Sequence, residues 1–182
     1  MASPTNSPQE ATFAGGCFWC LEPAFAQLEG ISDLKVGYSG GKVANPTEMQ
    51  VHYEDTGHYE VLHVVFDPQK ISYQQLLDTF WRQIDPTDPG GQFHDRGQSY
   101  QTAIFYHTDQ QKKLAEASKE KMDQSGIFPK PIVTKILPAK PFYEAEDYHQ
   151  QYYKKNPMRY QLYSFGSGRK GFLKKTWDNQ DD

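Results

Sequence analysis

The chain has 182 residues, a formal net charge of -4, 37% hydrophobic and 14% aromatic residues, and a mean hydropathy of -0.80. That length supports one domain whose core needs no disulfide, and an acidic chain with no basic block before Arg169-Lys170 and Lys174-Lys175 gives nucleic-acid binding little support. The stretch from Met1 to Glu10 is polar and reads as neither a signal peptide nor a membrane anchor, so the expectation is a monomer in the reducing cytoplasm.

Residues 11–14 have the size of a short buried strand and lead into Gly15-Gly16-Cys17-Phe18-Trp19-Cys20, which contains both cysteines of the chain. Glu22, Phe25, Ala26, Leu28 and Glu29 then recur at helical spacing, so Cys17 opens a helix. Unpaired N–H groups and the positive helix end are expected to favour thiolate there and to lower the thiol pKa. Cys20, at i+3, lies one turn along the same face and within reach of a disulfide. Cys17 therefore reads as the attacking sulfur and Cys20 as the resolving one. Gly15 and Gly16 would permit the tight strand-to-helix turn and leave room for a substrate. On the residues alone, C-x-x-C also fits inert packing thiols, or half of a zinc site completed by His52, His58 and His63, whose spacing matches no finger pattern.

Further along, residues 31–38 alternate apolar and polar side chains and end in a glycine turn, and residues 60–67 form a β-branched run of central-strand length. Ser72 caps a helix whose apolar face is Leu76, Leu77, Phe80, Trp81 and Ile84. Residues 85–101 form a Pro-, Gly- and Asp-rich loop long enough to suggest a function. A strand at 103–106, a helix at 110–124 capped by Asp109, a strand at 132–137 and a short helix within 142–155 complete the elements. The expected fold class is α+β, a two-layer α/β sandwich in which helices cover a mixed β-sheet. Its expected divisions are a disordered polar N-terminus at 1–10, a single catalytic domain at 11–157, and an irregular C-terminal tail at 158–182 that wraps or leaves the domain.

Six ordered motifs, Gly16-Cys17-Phe18-Trp19-Cys20, Gly37-Tyr38-Ser39-Gly40-Gly41, Asn45-Pro46-Thr47, Asp55-Thr56-Gly57-His58-Tyr59-Glu60, Asp95-Arg96-Gly97-Gln98-Ser99-Tyr100 and Ala145-Glu146-Asp147-Tyr148-His149-Gln150, carry a resemblance that spans residues 12–157. The chain resembles the class A peptide methionine sulfoxide reductases, which act on the S epimer. The resemblance implies that Cys17 attacks the sulfoxide sulfur, that Glu60 protonates the departing oxygen, and that Cys17 is left as a sulfenic acid. It further implies that Cys20 closes a disulfide, which thioredoxin reduces, with no bound cofactor and no metal. Phe18 and Trp19 match the pocket for the S-methyl group, Tyr100 a phenol on the sulfoxide oxygen, Asp95 a residue holding substrate main chain or a water, and His149 a residue close to the pocket.

Where the family usually carries a second phenol, this chain has Glu48, which would either share the pocket with Glu60 or turn into solvent. No family role falls to residues 164–177. Two other functions remain open on the residues: a thioredoxin-like thiol-disulfide oxidoreductase and a zinc-binding interaction module.

Overall fold

The computed structural model describes residues 6–178 and 180. Its strands are β1 (Gln9–Gly15), β2 (Ile31–Ser39), β3 (Tyr59–Phe66), β4 (Gly91–Gln92), β5 (Asp95–Arg96), β6 (Thr102–Tyr106), β7 (Lys135–Pro138) and β8 (Tyr143–Glu144). Its helices are α1 (Phe18–Ala26), α2 (Glu48–Tyr53), α3 (Tyr73–Trp81), α4 (Asp109–Gln124), α5 (Tyr152–Lys155), α6 (Pro157–Gly166) and α7 (Arg169–Trp177). Six strands form one sheet in the order β7-β6-β1-β3-β2-β8, and β4 pairs with β5 as a separate hairpin. Only β6 and β7 run parallel, so the sheet is mixed, as expected.

Successive side chains of a strand point to opposite faces, and this period divides the core. Ala11, Phe13, Val36, Tyr38, Leu62, Val64, Phe66 and Ile104 face one way and meet Leu21 and Phe25 of α1 and Leu76, Leu77, Phe80 and Trp81 of α3. Phe13 anchors that layer, its ring 5.1 Å from Phe80 and 5.4 Å from Phe25. Ala14, Tyr59, Val61, Ala103 and Phe105 form a smaller cluster on the other face. With β3 between β1 and β2 at the centre of the sheet, Glu60 at its start is placed beside the end of β1, where the cysteines follow.

Several expectations change. Gln9 and Glu10 already belong to β1, because they pair with Phe66 and Val65, so the polar N-terminus is not disordered throughout; residues 1–5 lie outside the described residues. The 85–101 loop contains the β4-β5 hairpin and a 3-10 turn at Gln98–Tyr100. Thr108, not Asp109, caps α4, its hydroxyl accepting from Gln111 N at 3.1 Å.

The tail from residue 158 is also not irregular. Pro157 starts α6 in the first turn, where its missing N–H costs nothing, and Gly168, at φ 90°, separates it from α7. Short helices of this kind draw their stability from tertiary contacts rather than from propensity, and Tyr163 and Arg169 supply them by bonding to Asp95 and to Gly15. α2 went unseen for a similar reason: it is only six residues long, and its signal is the Thr47–Gln50 capping box.

Glu22 of α1 lies buried against the turn before α5, its two oxygens accepting from Gln151 N at 3.1 and 3.0 Å. Burial pushes its carboxyl up from 4.5 to about 7, although Gln151 and the nearby Lys154, Lys155 and Lys35 act in the opposite direction. The folded chain thus keeps a proton that the unfolded chain gives up. The stability this contributes is complete below about 4.5 and is lost as pH rises through about 7. Urea titrations across that window are expected to show the wild-type midpoint falling with pH relative to Glu22→Gln; parallel curves would contradict the assignment.

Candidate active site

The turn from β1 into α1 sets the position of the sulfurs. Gly16 adopts φ +82°, and a Cβ there would lie 2.6 Å from Gln92 Cβ and 2.8 Å from Arg169 Nη2. The space left by this glycine is therefore taken by Gln92 and Arg169 and not by a substrate. Cys17 is the N-cap of α1, Cys20 N donates to Cys17 O at 3.1 Å, and both thiols are nearly buried, at 6% and 5% exposure.

The expected low pKa of Cys17 is not what the surroundings produce. Burial pushes the Cys17 thiol well above its ordinary value, and its hydrogen bond to Cys20 and the Glu60 carboxyl act in the same sense. The helix end offers partial charge, whereas a dry, acid-lined setting penalises a full one. Cys20 moves the other way, held down by the hydrogen bond from Cys17 and by the Arg169 guanidinium. The hydrogen bond between the two thiols ties their ionisation together.

Glu60 reaches across from β3 to the first turn of α1. Its Oε2 accepts from Phe18 N at 3.1 Å and its Oε1 lies 2.9 Å from His52 Nε2. Burial raises the Glu60 pKa, against the lowering effects of His52 and the Phe18 N–H. Tyr100 approaches the same His52 nitrogen, its hydroxyl 3.3 Å from Nε2, and burial raises the phenol as well. The Phe18 ring is buried in the main core between Tyr38 and His149, with centroids at 5.8 and 5.0 Å. Trp19 is partly exposed and lies flat on Tyr152 at 3.8 Å.

Glu48 takes neither of its two expected positions. It begins α2, partly buried, and its carboxylate accepts from Tyr148 and lies 3.0 Å from His149 Nε2, so it neither shares the Glu60 site nor turns fully to solvent. Burial would raise its pKa, but Tyr148, His149 and His52 together hold it below the ordinary carboxylate value. Trp19 Nε1 donates to His149 Nδ1 at 3.0 Å. An indole N–H only donates, so Nδ1 is the acceptor and the ring hydrogen sits on Nε2, which is close to Glu48 but finds no hydrogen-bond partner among the described residues.

Glu48, Glu146 and His149 bring possible metal-ligand atoms within 4.8 Å of one another. An ion at Nε2 would have to displace that hydrogen, so the cluster does not suit a metal. Nor do the histidines of the alternative zinc reading gather at the cysteines: among the described residues no such ligand group includes Cys17 or Cys20. His58 is occupied by Gly41 N and Val43 O, at 3.1 and 2.7 Å, and His63 by Thr12.

Asp95, on β5, accepts a hydrogen bond from Tyr163 of α6, and Tyr163 meets the Trp19 ring edge-on at 5.7 Å. Arg169 of α7 is 3% exposed, donates through Nη2 to Gly15 O at 3.0 Å, and lies over the Phe93 ring at 4.9 Å. The tail thus packs directly against the cysteine turn. The sequence carried no signal for Tyr163 or Arg169. His52 could have been found from its place one turn after Glu48 on a capped helix.

Residues 9–181 match the family described as Peptide methionine sulfoxide reductase. The chain belongs to that family. It is 58% identical over 167 residues to the Peptide methionine sulfoxide reductase MsrA of Bacillus subtilis (strain 168), covering 92% of this chain and 94% of the relative. Among solved structures it is similar to the reduced form of Mxr1 from Saccharomyces cerevisiae, at 34% identity and TM-score 0.78, over 87% of this chain and 90% of that one. Mxr1 has also been solved in complex with Trx2; that chain is 28% identical, with TM-score 0.58, over 84% of this chain and 89% of its own length. The matched span includes α6 and α7, so the family region extends past residue 157, where the resemblance read from motifs stopped.

If Arg169 helps to hold Cys20 as thiolate, then Arg169→Gln in a Cys17→Ser background should raise the pH at which Cys20 ionises by about one unit or more. Ultraviolet thiolate absorbance followed against pH reads this directly, and an unshifted curve would remove the guanidinium from the resolving step.

Proposed function

We propose that the chain reduces the S epimer of methionine sulfoxide, free or in proteins, as a repair of oxidised methionine. The observation that carries this reading is Glu60: a buried carboxyl fastened to the N–H of Phe18, the residue next to Cys17, with burial favouring its protonated form. The family match over residues 9–181 favours sulfoxide reduction over simple disulfide exchange.

In the first step the Cys17 sulfur attacks the sulfoxide sulfur while the sulfoxide oxygen takes a proton from the Glu60 side of the pocket. The S–O bond to methionine breaks, methionine leaves reduced, and the oxygen remains on Cys17 as a sulfenic acid. The Cys17 proton passes to Cys20, which its hydrogen bond already addresses. Cys20 then attacks the sulfenic sulfur, water leaves, and a Cys17–Cys20 disulfide forms. A dithiol protein reduces that disulfide by exchange and is itself oxidised; the solved complex of Mxr1 with Trx2 supports a thioredoxin in this part.

Tyr100 donates to the sulfoxide oxygen, Trp19 with Phe18 behind it borders the methyl group, and Asp95, steadied by Tyr163, holds substrate main chain or a water. His149 orients Trp19, and Glu48 in turn faces His149. The chemistry calls for no metal and no bound cofactor. We place the protein in the cytoplasm as a monomer, where C-x-x-C stays reduced; among the described residues no helix is long and apolar enough to cross a membrane.

Separate S and R sulfoxides supplied with thioredoxin and its reductase test the reading. Consumption of the S epimer alone is expected, and equal use of both epimers would refute it. Cys20→Ser should release about one methionine per chain and then stall with one added oxygen on Cys17, seen by mass spectrometry, because chemistry precedes resolution. Normal cycling of that variant would transfer resolution to another reductant.

A further inference from the structure

His52 is used by none of the steps above, yet its side chain is within hydrogen-bond distance of the acid. Glu60 Oε2 is occupied by the Phe18 N–H, which leaves Oε1, and Oε1 lies 2.9 Å from His52 Nε2. Tyr100 approaches the same nitrogen at 3.3 Å. The Glu60 side chain is 4% exposed and that of His52 22%, so the imidazole connects a buried carboxyl to solvent.

We propose that His52 and Glu60 hold one transferable proton between Nε2 and Oε1, so that His52 is the positioning residue that keeps the acid loaded and refills it from water. The proposal rests on the reading of Glu60 as the proton donor. Two arrangements of the same proton are equivalent in charge: a carboxylic acid beside neutral imidazole, or a carboxylate beside imidazolium. In either, the pair gives one proton to the sulfoxide oxygen and is left as a carboxylate and a neutral imidazole. The electron pair that reduces the sulfur comes from Cys17, and the pair then takes its proton back from solvent through His52.

The surrounding charges favour a retained proton. Facing His52 are Glu60 from β3, Glu48 one turn earlier on α2, Asp95 from β5 and the Tyr100 phenol. The hydrogen bond to Glu60 raises the His52 pKa; burial opposes this, and the charges of Glu60, Glu48 and Asp95 add to it. Around Glu60 itself lie His52, His149 and the Cys17 sulfur, with burial the largest influence. With two sites for one proton, the pair holds it to higher pH than either group would alone.

Two measurements on the intact reduced protein decide the matter. In nitrogen-15 NMR titrations, the His52 ring should ionise at a pH at least about one unit higher in wild type than in Glu60→Gln; equal values would overturn the shared proton. In single-turnover methionine release against pH, His52→Gln keeps a hydrogen-bond donor near Oε1 but cannot titrate. Its inflection should fall by about one unit or more while the low-pH rate stays within about tenfold of wild type. Superimposable profiles would overturn the proposal, since a merely structural role would change the rate without moving the inflection. Absence of methionine release from wild type would instead refute the enzymatic reading, and the NMR comparison alone would then decide whether the proton is shared.

Discussion

The contact on which this site depends is the one between the first backbone N–H of α1 and a carboxyl from the sheet. A helix start leaves its first N–H groups without intrahelical partners, and here Glu60 takes the N–H of Phe18 at 3.1 Å. That bond joins the central strand β3 to the cysteine turn and fixes the acid next to the sulfur. It also answers the otherwise costly burial of Glu60, because one oxygen is satisfied by the backbone and the other by His52. Pairing of β3 with both β1 and β2 then determines where along the turn the carboxyl arrives.

Burial explains why the thiols differ from a simple helix-start expectation. The partial charge at a helix end favours thiolate by a modest amount, while removal of a sulfur from water and a neighbouring carboxyl oppose it. Within the pair, burial and the Glu60 carboxyl push the Cys17 thiol up, whereas the hydrogen bond from Cys17 and the Arg169 guanidinium pull Cys20 down. A buried guanidinium beside the cysteine turn also gives the C-terminal helices a chemical reason to dock there.

A chain of side chains runs outward from Trp19 in the other direction. Its indole N–H fixes the His149 tautomer, the His149 ring lies beside the Glu48 carboxylate, and Glu48 accepts from Tyr148. The carboxylate that replaces the family's usual phenol is therefore part of the frame behind Trp19, and His52, one turn further along α2, is the residue that reaches the acid. One short helix thus contacts both Glu60 and His149.

By itself the sequence determined the C-x-x-C at a helix start, the main strands and helices with strong periodicity, and the family, because those depend on residues close together in the chain. Phe13, Leu62 and Phe80 could be placed in a core from spacing alone, because burial there follows the period of the strand or helix. Only the tertiary structure decided the direction of the Cys17 and Cys20 pKa shifts, the position of Glu48, the place of His52 beside Glu60, and the helices of the tail. Each of these turns on desolvation or on partners far apart in sequence, such as Arg169 with Gly15 and Tyr163 with Asp95. Local patterns hold no record of such distances, since electrostatic cost is set by what surrounds a group and not by what adjoins it in the chain.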